Sequence, residues 1–432
     1  MKNHKYKISL LLILSLLLVF PLFIKAQIGQ YPFDISYYNF IQYDSNKVDF
    51  YGNSSYFQYF YQRLDSVINY GKGQINIVTI GGSHIQADIF TGQMRKRFQR
   101  LNGGQNAGRG YVFPYRFAHT NTPYGYFFRY TGNWESCRNV EKNKICNLGI
   151  GGIMAVTKDS ISSVTLLFEP ENDIKYDFNR IKIYHLCDSL AFDIRIDSSL
   201  IDSMIEVPER DYTEIFLTRY VDSIEIFFVK TDSLQTGFEL YGMNLETDDP
   251  GIIYHNIGIN GAATSSFLRC NRMEQQLSTI HPDLVIFGLG INDAYGRRFS
   301  QTAYERNYDS LVAIVRKANP HAAIIFTTNN DSYLYRRYVN RNGIKVQESM
   351  VTLAKNHDAA VWDMFEIMGG LNSIVYWNKT GLAKRDKIHF TRPGYILLGD
   401  LFFDAIMQSF GDYLQNGDVI IKNEKDVELT KH

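Results

Sequence analysis

The sequence predicts an α/β protein with a doubly wound parallel sheet, interrupted by an inserted all-β domain. Three observations carry this reading. Over residues 246–412 apolar strands alternate with amphipathic helices, the rhythm of a parallel sheet covered on both faces. One further strand–helix unit, Gln74 to Leu101, stands far upstream of the rest. Between them the hydrophobic period becomes two, with short alternating strands separated by Asp- and Ser-rich turns, as in an antiparallel sandwich. The chain therefore divides into a signal peptide at 1–26, an N-terminal extension at 28–70, a discontinuous α/β domain at 71–105 and 246–412, an inserted β domain at 106–245 and a C-terminal tail at 413–432.

Taken in order, Lys2, Lys5 and Lys7 precede an apolar run from Ile8 to Ile24, and Lys25-Ala26-Gln27 follows. A basic start, a short apolar core and a small residue predict cleavage near Ala26 and export to the periplasm or cell surface. An uncleaved anchor is the alternative, because the run approaches spanning length. No later stretch is long and apolar enough to span, so no membrane insertion is expected after cleavage. Residues 28–70 are polar and tyrosine-rich, with a helix around Tyr56 to Leu64. Gln74 to Gly81 is a strand. Asp88 to Leu101 reads as a helix, because Phe90, Met94, Phe98 and Leu101 fall on one face.

In the insertion, Phe192, Ile194 and Ile196 alternate with polar residues, as do Ile224, Ile226 and Phe228. After Glu246 the strands are Ile252 to Ile257, Asp283 to Gly290, Ala322 to Thr328 and Ala359 to Trp362. Helices are expected from Thr264 to Leu277, around Tyr304 to Ile314 and Val346 to Leu353, and from Gly394 to Phe410. The Asp283–Gly290 run is continuously apolar, as a strand buried on both faces requires.

Composition narrows the partners. The 432 residues carry 45 Lys+Arg against 45 Asp+Glu, so net charge gives no reason to expect nucleic acid or an anionic membrane as partner. The 30 tyrosines are read first as aromatic-rich β structure and only second as sugar-facing surface. Of the four cysteines, Cys137 and Cys146 are close enough in sequence to pair, and an oxidising compartment permits it. No CxxC or HxxxH spacing suggests a metal, and no cofactor is expected. Nothing in the sequence sets the oligomeric state.

Four sites fall at the carboxyl ends of core strands, where α/β enzymes place their chemistry. The first is Gly81-Gly82-Ser83-His84. The second is the glycine-rich turn from Asn256 to Gly261. The third is Gly290-Ile291-Asn292-Asp293, and the fourth is Asp386-Lys387-Ile388-His389. A serine hydroxyl becomes a nucleophile when a base takes its proton, and His389 suits that task. Asp386, three residues earlier, can hold the imidazole in one tautomer. An attacked carbonyl becomes an oxyanion, and the Ser83 amide, the Gly261 amide and the Asn292 side chain offer three donors to it. Gly261 suits the position because a side chain there would crowd the reacting carbonyl.

These four blocks, in this order, resemble those of the SGNH/GDSL hydrolases over a little under half the chain. The resemblance implies a flavodoxin-like three-layer sandwich and ester hydrolysis without a metal. It places the nucleophile on Ser83, the oxyanion glycine on Gly261, the oxyanion asparagine on Asn292, the base on His389 and the orienting acid on Asp386. One departure is that the family's usual aspartate before the serine is here Gly82. Gly82-Ser83-His84-Ile85-Gln86-Ala87-Asp88, Gly108-Arg109-Gly110-Tyr111-Val112-Phe113-Pro114 and Thr131-Gly132-Asn133-Trp134 look like the bacterial peptidoglycan O-acetylesterases, exported SGNH enzymes with a β domain inserted after the first block. That implies an acetylated glycan, peptidoglycan, as substrate.

The alternatives are a lipase or lysophospholipase of the same family, an O-acetyltransferase, and an inactive glycan-binding protein whose sequence support is Gly82. His84, Asp88 and Asp293 are further candidates for the substrate pocket. Asp88 also suits the first turn of a helix, and Asp293 local bonds within its loop. The aromatic run Tyr124 to Trp134 serves either as a glycan-stacking surface or as a seam between domains.

Overall fold

The computed structural model describes residues 32–101, 104–169 and 174–422. The signal-peptide reading at 1–26 lies outside them, as does the end of the tail, 423–432.

The central sheet has six strands in the order Val48–Phe50, Ala360–Trp362, Ala323–Thr327, Leu284–Gly288, Gln74–Gly81 and Gly251–Gly258. The last five are parallel. Numbered along the chain from Gln74, they run 2-1-3-4-5 across the sheet, the flavodoxin-like order. The predicted α/β class is therefore the observed one. Strand residues alternate between two cores. Val78, Ile80, Val285, Phe287, Ile324 and Phe326 join one cluster, packed against helices Gln301–Ala318 and Asn342–Asn356. Ile75, Ile77, Leu284, Ile286 and Ile325 join the other, beneath helices Ser55–Tyr70, Phe90–Gln99 and Arg392–Asn416. A fully buried aliphatic or aromatic side chain contributes about 1.5–3 kcal/mol, so both faces of the sheet are strongly held and its strand ends are a rigid platform.

The N-terminal segment contributes to this layer structure. Val48–Phe50 is the antiparallel edge strand, and the expected helix runs on to Tyr70, where Gly71 ends it with a left-handed C-cap. The tail also begins later than expected. The last helix continues to Asn416, and Ile421 lies beside Phe50.

Of the expected helices one starts late and one is broken, each for a local reason. Asp88 sits at φ +52°, with its carboxylate tied to Thr91, Arg95 and Arg109, so the chain forms a short turn, Ser83–Gln86, and then the Phe90–Gln99 helix. The stretch from Thr264 splits into Thr264–Phe267 and Met273–Ile280. Between them Arg269 donates to the carbonyls of Asn139, Glu141 and Lys144, and Asn271 accepts the Leu148 amide. Contacts with the insertion override helix periodicity there.

The insertion forms two antiparallel sheets. One runs in the order Ile201–Val207, Tyr212–Val221, Phe178–His185, Phe238–Glu246, Ile153–Thr157 and Glu135–Arg138, with Gly110–Val112 also paired to Phe238–Glu246. The other runs Tyr126–Thr131, Ile161–Phe168, Ile224–Val229 and Asp193–Arg195. Phe228 of one stacks on Phe238 of the other, centroids 4.1 Å apart, and Trp134 packs edge-on against Phe228. Trp134 also stacks on Phe117, so this end of the aromatic run is a packing seam. Cys137 and Cys146 are joined as a disulfide, and Cys187 and Cys270 are free.

Candidate active site

The site is built where three parallel strands end together. Gly81 is in register with Gly258 on one side and Gly288 on the other. The short Ser83–Gln86 turn folds back over this glycine row. A Cβ on Gly258 would lie 2.2 Å from the Gln86 amide nitrogen, and one on Gly81 would lie 2.3 Å from Ile85 Cγ1. Only glycine at those two positions lets the turn approach the strand ends and lift the Ser83 side chain out of the sheet. In a 2-1-3-4-5 sheet this is the point where strand order reverses and ligands bind.

Ser83 Oγ and His389 Nε2 are 2.8 Å apart. On the far side of the ring, His389 Nδ1 and Asp386 Oδ2 are also 2.8 Å apart. The other Asp386 oxygen accepts the amides of Ile388 and His389, each at 3.0 Å. Burial pushes the Asp386 carboxyl up, but the bonds from the His389 amide and ring and the Ile388 amide outweigh it and hold the group below its usual range. A carboxylate that stays ionised keeps the proton on Nδ1 and leaves Nε2 as the acceptor facing Ser83.

These groups open on a cleft of about 520 Å³, lined by Ser83, Gly261, Asn292, His389 and, in addition, Asn260 and Lys384. Asn292 Nδ2 donates to Ala262 O at 2.9 Å, which orients the amide and leaves its second N–H for the cleft. Gly261 has φ +82°, and a Cβ there would meet only Val140, at 4.0 Å. The glycine is thus required by its left-handed backbone, and crowding of the cleft is not the reason. A Cβ on Gly82 would come within 3.3 Å of Asn292 Nδ2.

The remaining candidates lie elsewhere. Asp88 is enclosed with Arg95 and Arg109 and borders a separate cavity of about 130 Å³. Burial would raise its carboxyl, but the two guanidiniums outweigh that and hold it below the usual range. His84 lies behind His389, with Nδ1 2.7 Å from the Tyr395 hydroxyl. Asp293 accepts the Thr264 amide and hydroxyl, pinning the turn after Gly261. None of the three borders the Ser83 cleft.

Sequence reading passed over Asn260, Asn121 and Lys384. Asn260 and Lys384 sit beside recognised motif residues, which is a usable signal. Asn121 has none, because it comes from the insertion. Gln86 holds it there, donating to Asn121 O at 2.8 Å and to Thr120 Oγ1 at 3.0 Å, and accepting the Asn260 amide at 2.6 Å. Among the described residues no group of three or more His, Cys, Asp and Glu side chains is gathered to hold a metal.

The chain has the SGNH hydrolase fold, with Ser83, His389 and Asp386 brought together at its strand ends. The GDSL-like Lipase/Acylhydrolase family profile matches residues 233–397. A solved structure described as a peptidoglycan O-acetylesterase in action shares the fold at TM-score 0.70 and 23% identity, over 84% of this chain and 99% of that one. A lipase/acylhydrolase from Enterococcus faecalis aligns at TM-score 0.30 and 21% identity, over 40% of this chain and 80% of its own. An acetyl xylan esterase aligns at 0.29 and 19%, over 37% and 83%. No curated protein matches the chain in sequence.

Proposed function

We propose that the protein is an exported serine esterase that removes O-acetyl groups from a carbohydrate, peptidoglycan being the substrate favoured. The observation that carries the mechanism is the unbroken chain of hydrogen bonds from Ser83 through His389 to Asp386. In this reading His389 Nε2 takes the Ser83 proton as Oγ attacks the ester carbonyl. The Ser83 and Gly261 amides and the Asn292 side chain hold the oxyanion. His389 then returns the proton to the departing sugar oxygen, leaving acetyl-Ser83. Water enters the cleft, gives a proton to His389 and releases acetate. Asp386 fixes the tautomer throughout and stabilises the imidazolium.

The acetylated-glycan assignment is supported by the likeness to a solved peptidoglycan O-acetylesterase structure, which spans 84% of this chain and so takes in the inserted β domain as well as the core, and by the open cleft. Export is supported by the sequence pattern of residues 1–26. The test is hydrolysis of p-nitrophenyl acetate by residues 27–432 beside Ser83→Ala. A loss of at least about 10³-fold in kcat is expected. Turnover near wild type in the variant would refute the mechanism. Release of acetate from O-acetylated peptidoglycan, and none from long-chain esters, would carry the substrate assignment.

A further inference from the structure

The mouth of the cleft is far more basic than the chain as a whole. Three surface loops meet there, residues 294–299, 333–341 and 384–387. They carry eight Lys and Arg and one carboxylate, Asp386, in a chain whose overall charge is zero. Arg297 and Arg298 follow Tyr295. Arg336 and Arg337 form the tip of the hairpin Tyr333–Val339, with Arg341 just beyond. Lys384, Arg385 and Lys387 flank Asp386.

The loops are tied into one surface. Tyr295 Oη accepts the Tyr335 amide at 2.9 Å, and the two rings meet edge-on at 5.9 Å. The Tyr333 amide donates to Lys387 O at 3.0 Å, and Lys387 Nζ stands 4.1 Å above the Tyr333 ring. Asn342 Nδ2 donates to Ala294 O and Gly296 O. Tyr295 and Lys384 themselves line the cleft.

Asp386, the one carboxylate within the loops, is engaged by His389, and Asp293 and Asp331, which lie next to the loops in sequence, accept hydrogen bonds from Thr264 and from the Ile374 amide. None of the eight forms an ion pair among the described residues. Ordinary surfaces intersperse the two signs, because like charges repel and oppose folding.

The hairpin tip points the same way. Tyr335 at φ +51° and Arg336 at φ +64° both occupy the left-handed region, where a tight hairpin takes Asn or Gly at least cost. Strain held by large side chains is a signature of use. Here the tip holds Arg336 and Arg337 exposed in the chain between two exposed tyrosines, Tyr335 at 71% and Tyr338 at 64% exposure.

We propose that this collar docks the carboxylates of an anionic glycan, so that the ester reaching Ser83 sits on a carboxylate-bearing polymer rather than on a neutral polysaccharide. The inference rests on the esterase reading and narrows its substrate. Cations around a cleft focus field into it and raise the local concentration of an anionic ligand. The tyrosine faces suit the apolar faces of sugar rings.

The test uses the Ser83→Ala chain, which holds substrate whether or not it can turn it over. Its affinity is measured for O-acetylated peptidoglycan fragments with native carboxylates and for the same fragments after amidation. Amidation is expected to weaken binding about tenfold at low salt, and raising the salt should erase the difference. Arg336→Glu with Arg337→Glu should cost about tenfold for native fragments and under about twofold for amidated ones. On the Ser83 background the same pair should raise KM for native fragments while p-nitrophenyl acetate turnover stays at wild-type level. Equal affinity for native and amidated fragments overturns the collar and leaves the esterase standing. Ser83-independent ester turnover overturns the esterase and leaves the binding comparison intact.

Discussion

The imidazole of His84 packs against that of His389, ring centroids 5.2 Å apart, with Phe390 and Tyr395 completing the enclosure. His84 Nε2 is sealed from water, and Nδ1 meets the Tyr395 hydroxyl. Burial pushes the His84 imidazole down to about 3, and the neighbouring His389 adds to the effect. A neutral ring at this place backs the base without competing for the Ser83 proton.

His84→Asn should therefore lower kcat by about tenfold to a hundredfold through loss of His389 alignment, with KM little changed. It should also alter acid stability. The folded chain refuses a proton that the unfolded chain takes up from its ordinary value of 6.5 downward. Stability is thus complete above about 6.5 and falls as pH drops toward 3, by roughly 1.4 kcal/mol per pH unit for this one group. Urea midpoints at pH 7, 5 and 4 should fall less steeply in the variant. His185 and His255 shift in the same direction, but both chains share them. Parallel slopes would show that His84 is not held neutral.

Much of this site is legible in the sequence because its parts are local. A strand that ends in Gly81-Gly82-Ser83, a turn at Gly261 and an Asp386-x-x-His389 spacing each fix a backbone shape and a chemistry within a few residues. The sheet order follows from the alternation of strands and helices. What is illegible is whatever a distant segment decides. Asp88 reads as a pocket residue until Arg109, 21 positions away, takes its carboxylate. The Thr264 helix reads as continuous until the insertion claims Arg269 and Asn271. The collar was hidden for the same reason, since its cations are spread over roughly ninety residues of a chain with no net charge.

Asn292 offers a direct check of the oxyanion geometry. One of its N–H groups is fixed on Ala262 O, so the other needs no reorganisation when charge develops on the substrate oxygen. Asn292→Ala should lower kcat on p-nitrophenyl acetate by about 10²–10³-fold with KM nearly constant, because the donor acts on the transition state more than on the bound ester. A kcat within about threefold of wild type, in a variant of unchanged thermal midpoint, would remove Asn292 from the oxyanion hole.

Asp88 separates structural from substrate roles. Its two oxygens hold Arg95 at 2.8 and 3.1 Å and Arg109 at 2.5 Å, all three groups being buried. Arg95 Nε reaches Tyr254 O on the Gly251–Gly258 strand, while Arg109 approaches the Tyr126 ring of the insertion. The triad thus ties the Ser83 loop, the core sheet and the β insertion together. Asp88→Asn strands two guanidiniums and should cost about 3–5 kcal/mol of stability, since breaking a buried pair leaves charge uncompensated. Well below the unfolding transition, kcat/KM on p-nitrophenyl acetate should stay within a few-fold of wild type, because Asp88 faces away from the cleft. A variant as stable as wild type but unable to turn over ester would assign Asp88 to substrate binding after all.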